Sequence, residues 1–200
     1  MSTYTYPETS ILVFCQASIA DEFKTQPVFS VIAEQNASSH MAKIRRLLTL
    51  ISDAALCRFE LWCYPDRYHP FYVECVHDFL LPLYCQQGRD VGERMFNAVS
   101  TGLESSSRVL LVNCESQLLS LADYEYAITA LKTGKDVVLA LAEKGGYAMI
   151  GMTQAHPTLF DSINWDSPNM LALTRQRITE QRLNLIEITS VCEQAAVAGP

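Results

Sequence analysis

The chain has 200 residues, 49% of them hydrophobic and 18% charged, with a formal net charge of -7. That balance suits one folded domain with a continuous core and excludes a disordered chain. Nucleic-acid binders present a basic face, so an acidic chain disfavours DNA or RNA as a partner.

The segment from Met1 to Ser10 is polar and has no basic n-region. The apolar run Ile11–Cys15 is too short for a signal peptide or a membrane span. A cytoplasmic protein without a membrane span is therefore expected. No repeat, linker or low-complexity run breaks the chain, so residues 1–200 read as one domain, with 1–9 and 190–200 as loosely ordered tails.

Ser10–Cys15 has the continuous apolar character of a buried parallel strand. Gln16–Lys24 reads as a loop. Helical patterning follows between Val28 and Ala55, with Ile44, Leu47, Leu48 and Ile51 on one face. Phe59–Cys63 reads as a second strand, ended by Tyr64-Pro65-Asp66. Pro70–Phe79 reads as a short helix, and Leu81–Gln86 as a strand that Pro82 confines to a sheet edge.

The clearest helix starts at Asp90, an N-cap residue, with Glu93 at the capping-box position and Met95, Val99 and Leu103 as its apolar stripe. Val109–Asn113 is another buried strand. Ser120 and Asp123 open the next helix in the same manner, and Gly134 ends it. Asp136–Leu141 and Tyr147–Met152 are strands on either side of the turn that contains Gly145 and Gly146. Ser167-Pro168 is expected to begin a helix that runs through Arg182, with proline at its first position. Asn184–Ile188 is the last strand.

Strands alternating with helices predict a three-layer α/β/α sandwich with a mainly parallel, mixed sheet. Such sheets bind ligands beyond the carboxyl ends of their strands, near a change in strand order. That rule selects the loops after Cys15, after Val112 and around Glu143–Gly146.

Seven cysteines occur, an odd number, and no pair has C-x-x-C spacing. Most lie in apolar segments, where a thiol acts as a small hydrophobe. Cys15 and Cys114 stand at strand ends beside the expected cleft. His69 and His77 flank a short helix, and no Ser-His-Asp or Cys-His set stands out.

Four segments carry a resemblance to a family. They are Phe14-Cys15-Gln16-Ala17 followed by Lys24-Thr25; Gln87 to Met95 (Gln-Gly-Arg-Asp-Val-Gly-Glu-Arg-Met); Val109 to Gln117; and Glu143-Lys144-Gly145-Gly146-Tyr147 with Ile150-Gly151. Phe160 and Trp165 add an aromatic pair. Together these resemble the bacterial selenodomain-associated glycosyltransferase-like proteins, which have the GT-A nucleotide-diphospho-sugar transferase fold. The resemblance implies a nucleotide or nucleotide-sugar donor and a divalent cation, magnesium or manganese, that offsets charge on the leaving diphosphate. It assigns Glu115, Lys144 and Glu143 to the catalytic positions. Lys24, Thr25, Asp90, Arg94, Gly145, Gly146 and Tyr147 fall at nucleotide-binding positions, and Glu115 at the metal.

The bland readings of the same residues stand beside these. Lys24 is also a surface lysine, Asp90 and Glu93 are also helix caps, Arg94 also fits an ion pair, and Tyr147 also fits a core position. This chain departs from the family pattern where it matters for metal. The acid of the third segment is Glu115, one methylene longer than Asp, and the acid of the fourth is Lys144. A protonated lysine cannot ligate a hard cation. At about 4 Å and an effective dielectric near 20, one unit-charge pair is worth roughly 4 kcal/mol, so exchanging attraction for repulsion undermines a weak metal site. The expectation is a glycosyltransferase-like protein with altered or lost metal-dependent catalysis. The alternatives are an inactive module on the same fold that binds a partner protein, and a nucleotidyltransferase of cofactor assembly.

Overall fold

A computed structural model describes residues 4–16, 27–114, 119–142, 146–165 and 167–189, with only the backbone described for residues 16 and 27–39. The elements in chain order are β1 (Thr9–Gln16), α1 (Pro27–Ala54), β2 (Arg58–Tyr64), α2 (Pro70–Phe79), β3 (Leu83–Cys85), α3 (Val91–Ser105), β4 (Arg108–Asn113), α4 (Leu121–Lys132), β5 (Val137–Leu141), β6 (Tyr147–Met152), α5 (Met170–Glu180) and β7 (Leu185–Ile188). A single 3-10 turn, Pro157–Leu159, lies between β6 and α5.

The seven strands form one sheet in the order β3-β2-β1-β4-β6-β5-β7. β1 pairs in parallel with β2 and with β4, β2 with β3, and β5 with β7. β6 alone runs against its neighbours β4 and β5. The expected mainly parallel mixed sheet is present, and helices cover both faces. Period-two alternation divides each strand between the two cores. Ile11, Val13 and Cys15 of β1 face α1, α2 and α4, together with Ile44, Leu48, Tyr72 and Ile128. Leu12 faces α3 and α5, with Met95, Val99 and Ile178. Side chains of this size each contribute about 1.5–3 kcal/mol when fully buried.

Helix ends follow local chemistry. The Ser120 hydroxyl accepts from the Asp123 N–H (3.3 Å) and the Asp123 carboxylate accepts from the Ser120 N–H (2.8 Å), a complete capping box. Asp90 caps α3 by accepting from the Glu93 N–H at 2.8 Å. The Glu93 carboxylate reaches one residue beyond the capping-box position, to the Arg89 N–H at 2.8 Å.

Two expectations are corrected. The helix placed at Ser167-Pro168 begins instead at Met170 and ends at Glu180. The Ser167 hydroxyl accepts the Asn169 N–H (3.2 Å), which holds Pro168 in a turn ahead of the helix. Residues 4–9, expected within a loose tail, are tied down. The Thr5 and Tyr6 N–H groups donate to the carbonyls of Ala55 and Leu56, and Thr9 is fully buried at the start of β1. Residues 1–3 and 190–200 lie outside the described residues.

The carboxyl ends of β1, β2 and β3 are stitched together by one buried side chain. Gln86, next after β3, donates from Nε2 to the carbonyls of Cys15 (2.8 Å) and Trp62 (3.0 Å), while its own N–H donates to the Cys63 carbonyl (2.9 Å). Removing it strands two buried acceptors, each costing about 1–3 kcal/mol. Gln86→Ala is therefore expected to lower the unfolding free energy in a urea titration by about 2–4 kcal/mol. Gln86→Glu is expected to be at least as damaging, because an ionised carboxylate has no proton to give those carbonyls.

Candidate functional site

The strand order decides where a ligand can sit. From β1 the chain steps to β2 and β3 on one side, then crosses over to β4 on the other. The order reverses between β1 and β4, and a crevice opens beyond the carboxyl ends of strands at such a point. Six strands run in one direction and β6 in the other, so the ends of β1, β4 and β5 share a rim with the start of β6. The three loops selected from the sequence leave or enter the sheet on that rim, beside Gln16, Cys114, Ala142 and Gly146. Across the switch, the Cys114 N–H donates to the Phe14 carbonyl at 3.2 Å.

Several expected site residues lie outside the described residues: Lys24, Thr25, Glu115, Glu143, Lys144 and Gly145. Gly146 begins the described part of the β5–β6 turn with φ of 79°, where a side chain is strained, and its carbonyl accepts from the Ala142 N–H at 3.2 Å. Tyr147 is buried, as its bland reading held, with its ring edge-on to Trp165 at 6.2 Å. Burial pushes its phenol well up from the usual range, so it stays protonated. Its hydroxyl lies against Thr174 without a well-formed hydrogen bond.

Asp90 is engaged as the α3 cap. Arg94, in the same turn, departs from the ion-pair reading. It is only 7% exposed, its guanidinium carbon lies 4.1 Å from the centre of the Tyr64 ring, and its Nε has no hydrogen-bond partner. The Asp90 and Glu93 carboxylates beside it are taken by backbone N–H groups and Arg89. Sequence reasoning missed Tyr64 and Gln86. A tyrosine before proline at a strand end reads only as a stop signal, and a glutamine at the end of an expected edge strand carries no signal of burial.

Cys15, Cys63, Cys75 and Cys114 are buried and free of disulfides. Burial raises the Cys15 thiol well above its usual range, Cys63 to about 12 and Cys75 to about 11, so all three stay protonated near neutrality. Among the described residues no three His, Cys, Asp or Glu side chains gather closely enough to hold a metal ion. The described part of the rim offers a cation and a helix N-terminus, an arrangement suited to anions, and does not by itself form a cage for a hard cation.

The family model described as an uncharacterized protein conserved in bacteria (DUF2064) matches residues 47–167. The chain belongs to this family. Solved structures share the fold of this DUF2064 chain. A protein from Desulfovibrio desulfuricans G20, provisionally assigned as a nucleotide-diphospho-sugar transferase, matches with a TM-score of 0.76 at 22% identity, over 92% of this chain and 80% of that one. Glucosyl-3-phosphoglycerate synthase from Mycobacterium tuberculosis, solved with Mn2+, UDP and glucosyl-3-phosphoglycerate, matches with a TM-score of 0.56 at 7% identity, over 92% and 70% of the two chains. A cytidylyltransferase from Leptospira borgpetersenii serovar Hardjo-bovis matches with a TM-score of 0.54 at 9% identity, over 92% and 77%. No curated protein matches this chain in sequence. At these identities the likeness establishes the GT-A-type fold. Among the described residues no helix is long and apolar enough to cross a membrane.

The aromatic pair expected from sequence buttresses the first turn of α3. Phe160 and Trp165 stack at 6.3 Å, and Gly92 packs against both. A Cβ at Gly92 would stand 2.2 Å from the Phe160 carbonyl oxygen and 2.9 Å from the Trp165 indole nitrogen. Backbone on one side leaves no flexible group to yield. Gly92→Ala is expected to destabilise the protein by about 1–3 kcal/mol in urea unfolding.

Proposed function

We propose that this protein is a glycosyltransferase-like, nucleotide-diphospho-sugar transferase-related protein that binds a nucleotide or nucleotide sugar on the carboxyl rim, with altered or lost metal-dependent catalysis. One observation supports the reading: the strand order reverses between β1 and β4, and the ends of β1, β4 and β5 and the start of β6 share one edge of the sheet, the edge from which the segments bearing Lys24, Glu115 and Glu143 depart. A GT-A-type fold shared with proteins solved with UDP or assigned to sugar nucleotides supports it. The whole of residues 1–200 then acts as one GT-A-like domain, and the four matching segments favour a divergent member of the selenodomain-associated group within its family.

In this reading Lys24 and Thr25 meet the phosphates, and Gly145 and Gly146 let the backbone approach the donor closely. Glu115 is the carboxylate left for a cation or a proton. Lys144 places a positive charge where the family pattern has an acid, and can meet a phosphate oxygen directly. Glu143 is the nearest replacement carboxylate. A divalent ion bound there would withdraw charge from the departing diphosphate. A nucleotidyltransferase reading is kept by the cytidylyltransferase that shares the fold. Release of pyrophosphate from a nucleoside triphosphate separates it from sugar transfer.

Calorimetric titration with UDP-, GDP- and CDP-linked sugars, with and without Mn2+, tests the proposal. Binding of at least one nucleotide is expected, with little dependence on manganese. Absence of binding to every nucleotide in both conditions sinks it. Lys144→Asp exchanges a cation for a ligand, and is expected to make manganese strengthen nucleotide binding by about tenfold or more. That experiment reads whether the metal position survives in the rest of the rim.

A further inference from the structure

We infer that Arg94 is an anion-binding residue, taking a phosphate or diphosphate group between the end of β2 and the first turn of α3, near the end of β1. A buried guanidinium is costly unless something accepts its hydrogen bonds. Arg94 is 7% exposed, its Nε has no acceptor, and no carboxylate pairs with it among the described residues. The nearest acids do not fill that role. The Asp90 carboxylate accepts from the Glu93 N–H at 2.8 Å, and the Glu93 carboxylate accepts from the Arg89 N–H at 2.8 Å and the Arg89 Nε–H at 2.9 Å.

Geometry sets where the free edge lies. Side chains on a helix tilt toward its N-terminus, and the N-terminus of α3 stands on the carboxyl rim. The guanidinium lies over the Tyr64 ring, with its carbon 4.1 Å from the centroid. Tyr64 is the last residue of β2 and lies in register with Gln16, the last residue of β1. Stacking occupies one face of the guanidinium and leaves its in-plane N–H edge for acceptors. A planar fork with two parallel N–H groups matches phosphate oxygens. The partial positive charge of the α3 N-terminus adds to the same field. Gln86 ties together the β1 and β2 ends that bear Gln16 and Tyr64, through the carbonyls of Cys15 and Trp62.

The anion follows from these contacts alone. Its carrier, a nucleotide, rests on the function proposed above. Titration of the whole protein with inorganic pyrophosphate and, separately, with UDP tests both. The wild type is expected to bind pyrophosphate, and Arg94→Gln to weaken that binding by about ten- to a hundredfold. Arg94→Lys is expected to restore part of the loss, because it keeps the charge without the fork. Equal pyrophosphate affinity in wild type and Arg94→Gln overturns the inference, and so does a wild type that binds no pyrophosphate. An arginine that only supports the fold shows lower stability in Arg94→Gln with unchanged pyrophosphate affinity. Should Arg94→Gln not fold, Arg94→Lys and Tyr64→Leu carry the test, since the second removes the ring platform alone. Undiminished pyrophosphate affinity in both overturns the inference. A protein that binds pyrophosphate through Arg94 but no nucleotide removes the nucleotide reading and keeps this one. One that binds UDP equally with Gln or Arg at position 94 does the reverse.

Discussion

The parallel pairing of β1 with both β2 and β4 is the constraint on which the rest of this molecule depends. β1 is fully flanked, so Ile11, Leu12 and Val13 lose all contact with water and anchor both cores at once. Because the chain goes to opposite sides of β1 before and after β3, the sheet cannot be closed over at the carboxyl ends of β1 and β4. The backbone carbonyls there need partners from outside the ladder. Gln86 supplies part of this need from the β3 side, and the Cys114 N–H supplies another part across the switch. The opening is thus a consequence of connectivity, and the polar groups around it are the ones the ladder leaves over.

Two kinds of charge meet at that opening. One is structural: Asp90, Glu93 and Arg89 form a small closed set that caps α3 and consumes its own charges. The other is Arg94, in the same first turn and next after Glu93, which is buried yet takes no part in that set. Its ring platform comes from β2 and its helix from the opposite layer, so its position records the packing of α3 on the sheet. Gly92 lets that packing happen, by bringing the helix start against the Phe160 carbonyl and the Trp165 ring. The aromatic wall and the cation are therefore set by the same turn, on different sides of it. The net charge of -7 makes such a buried cation all the more local in its effect.

The resemblance was carried by residues with quite different structural fates. Gly92 and Arg94, from the second segment, touch the helix–sheet contact and the rim. Asp90 and Glu93, equally prominent in the motif, serve the helix end. Gly146 and Tyr147, from the fourth segment, turn the chain and fill the core beside Trp165. A motif read as a line of letters gives no hint of this division. Capping and cleft-lining residues recur at the same spacing because one turn of helix needs both.

Sequence alone determined the number and order of the elements, because apolar period and capping residues act locally. It settled the buried character of β1 and β4, the α3 cap at Asp90, the complete box at Ser120, and the hairpin around the paired glycines. It also marked the edge position of β3, since Pro82 has no N–H to give a central ladder. Only the tertiary structure decided the strand order, and hence which loops share a rim, because pairing partners distant in the chain leave no periodic trace. The start of α5 at Met170 was likewise decided by a side-chain contact, Ser167 to the Asn169 N–H, that competes with helix initiation. The burial of Arg94 over Tyr64 and of Gln86 beneath β1 and β2 belongs to the same class: each polar residue is hidden by elements the sequence keeps far apart.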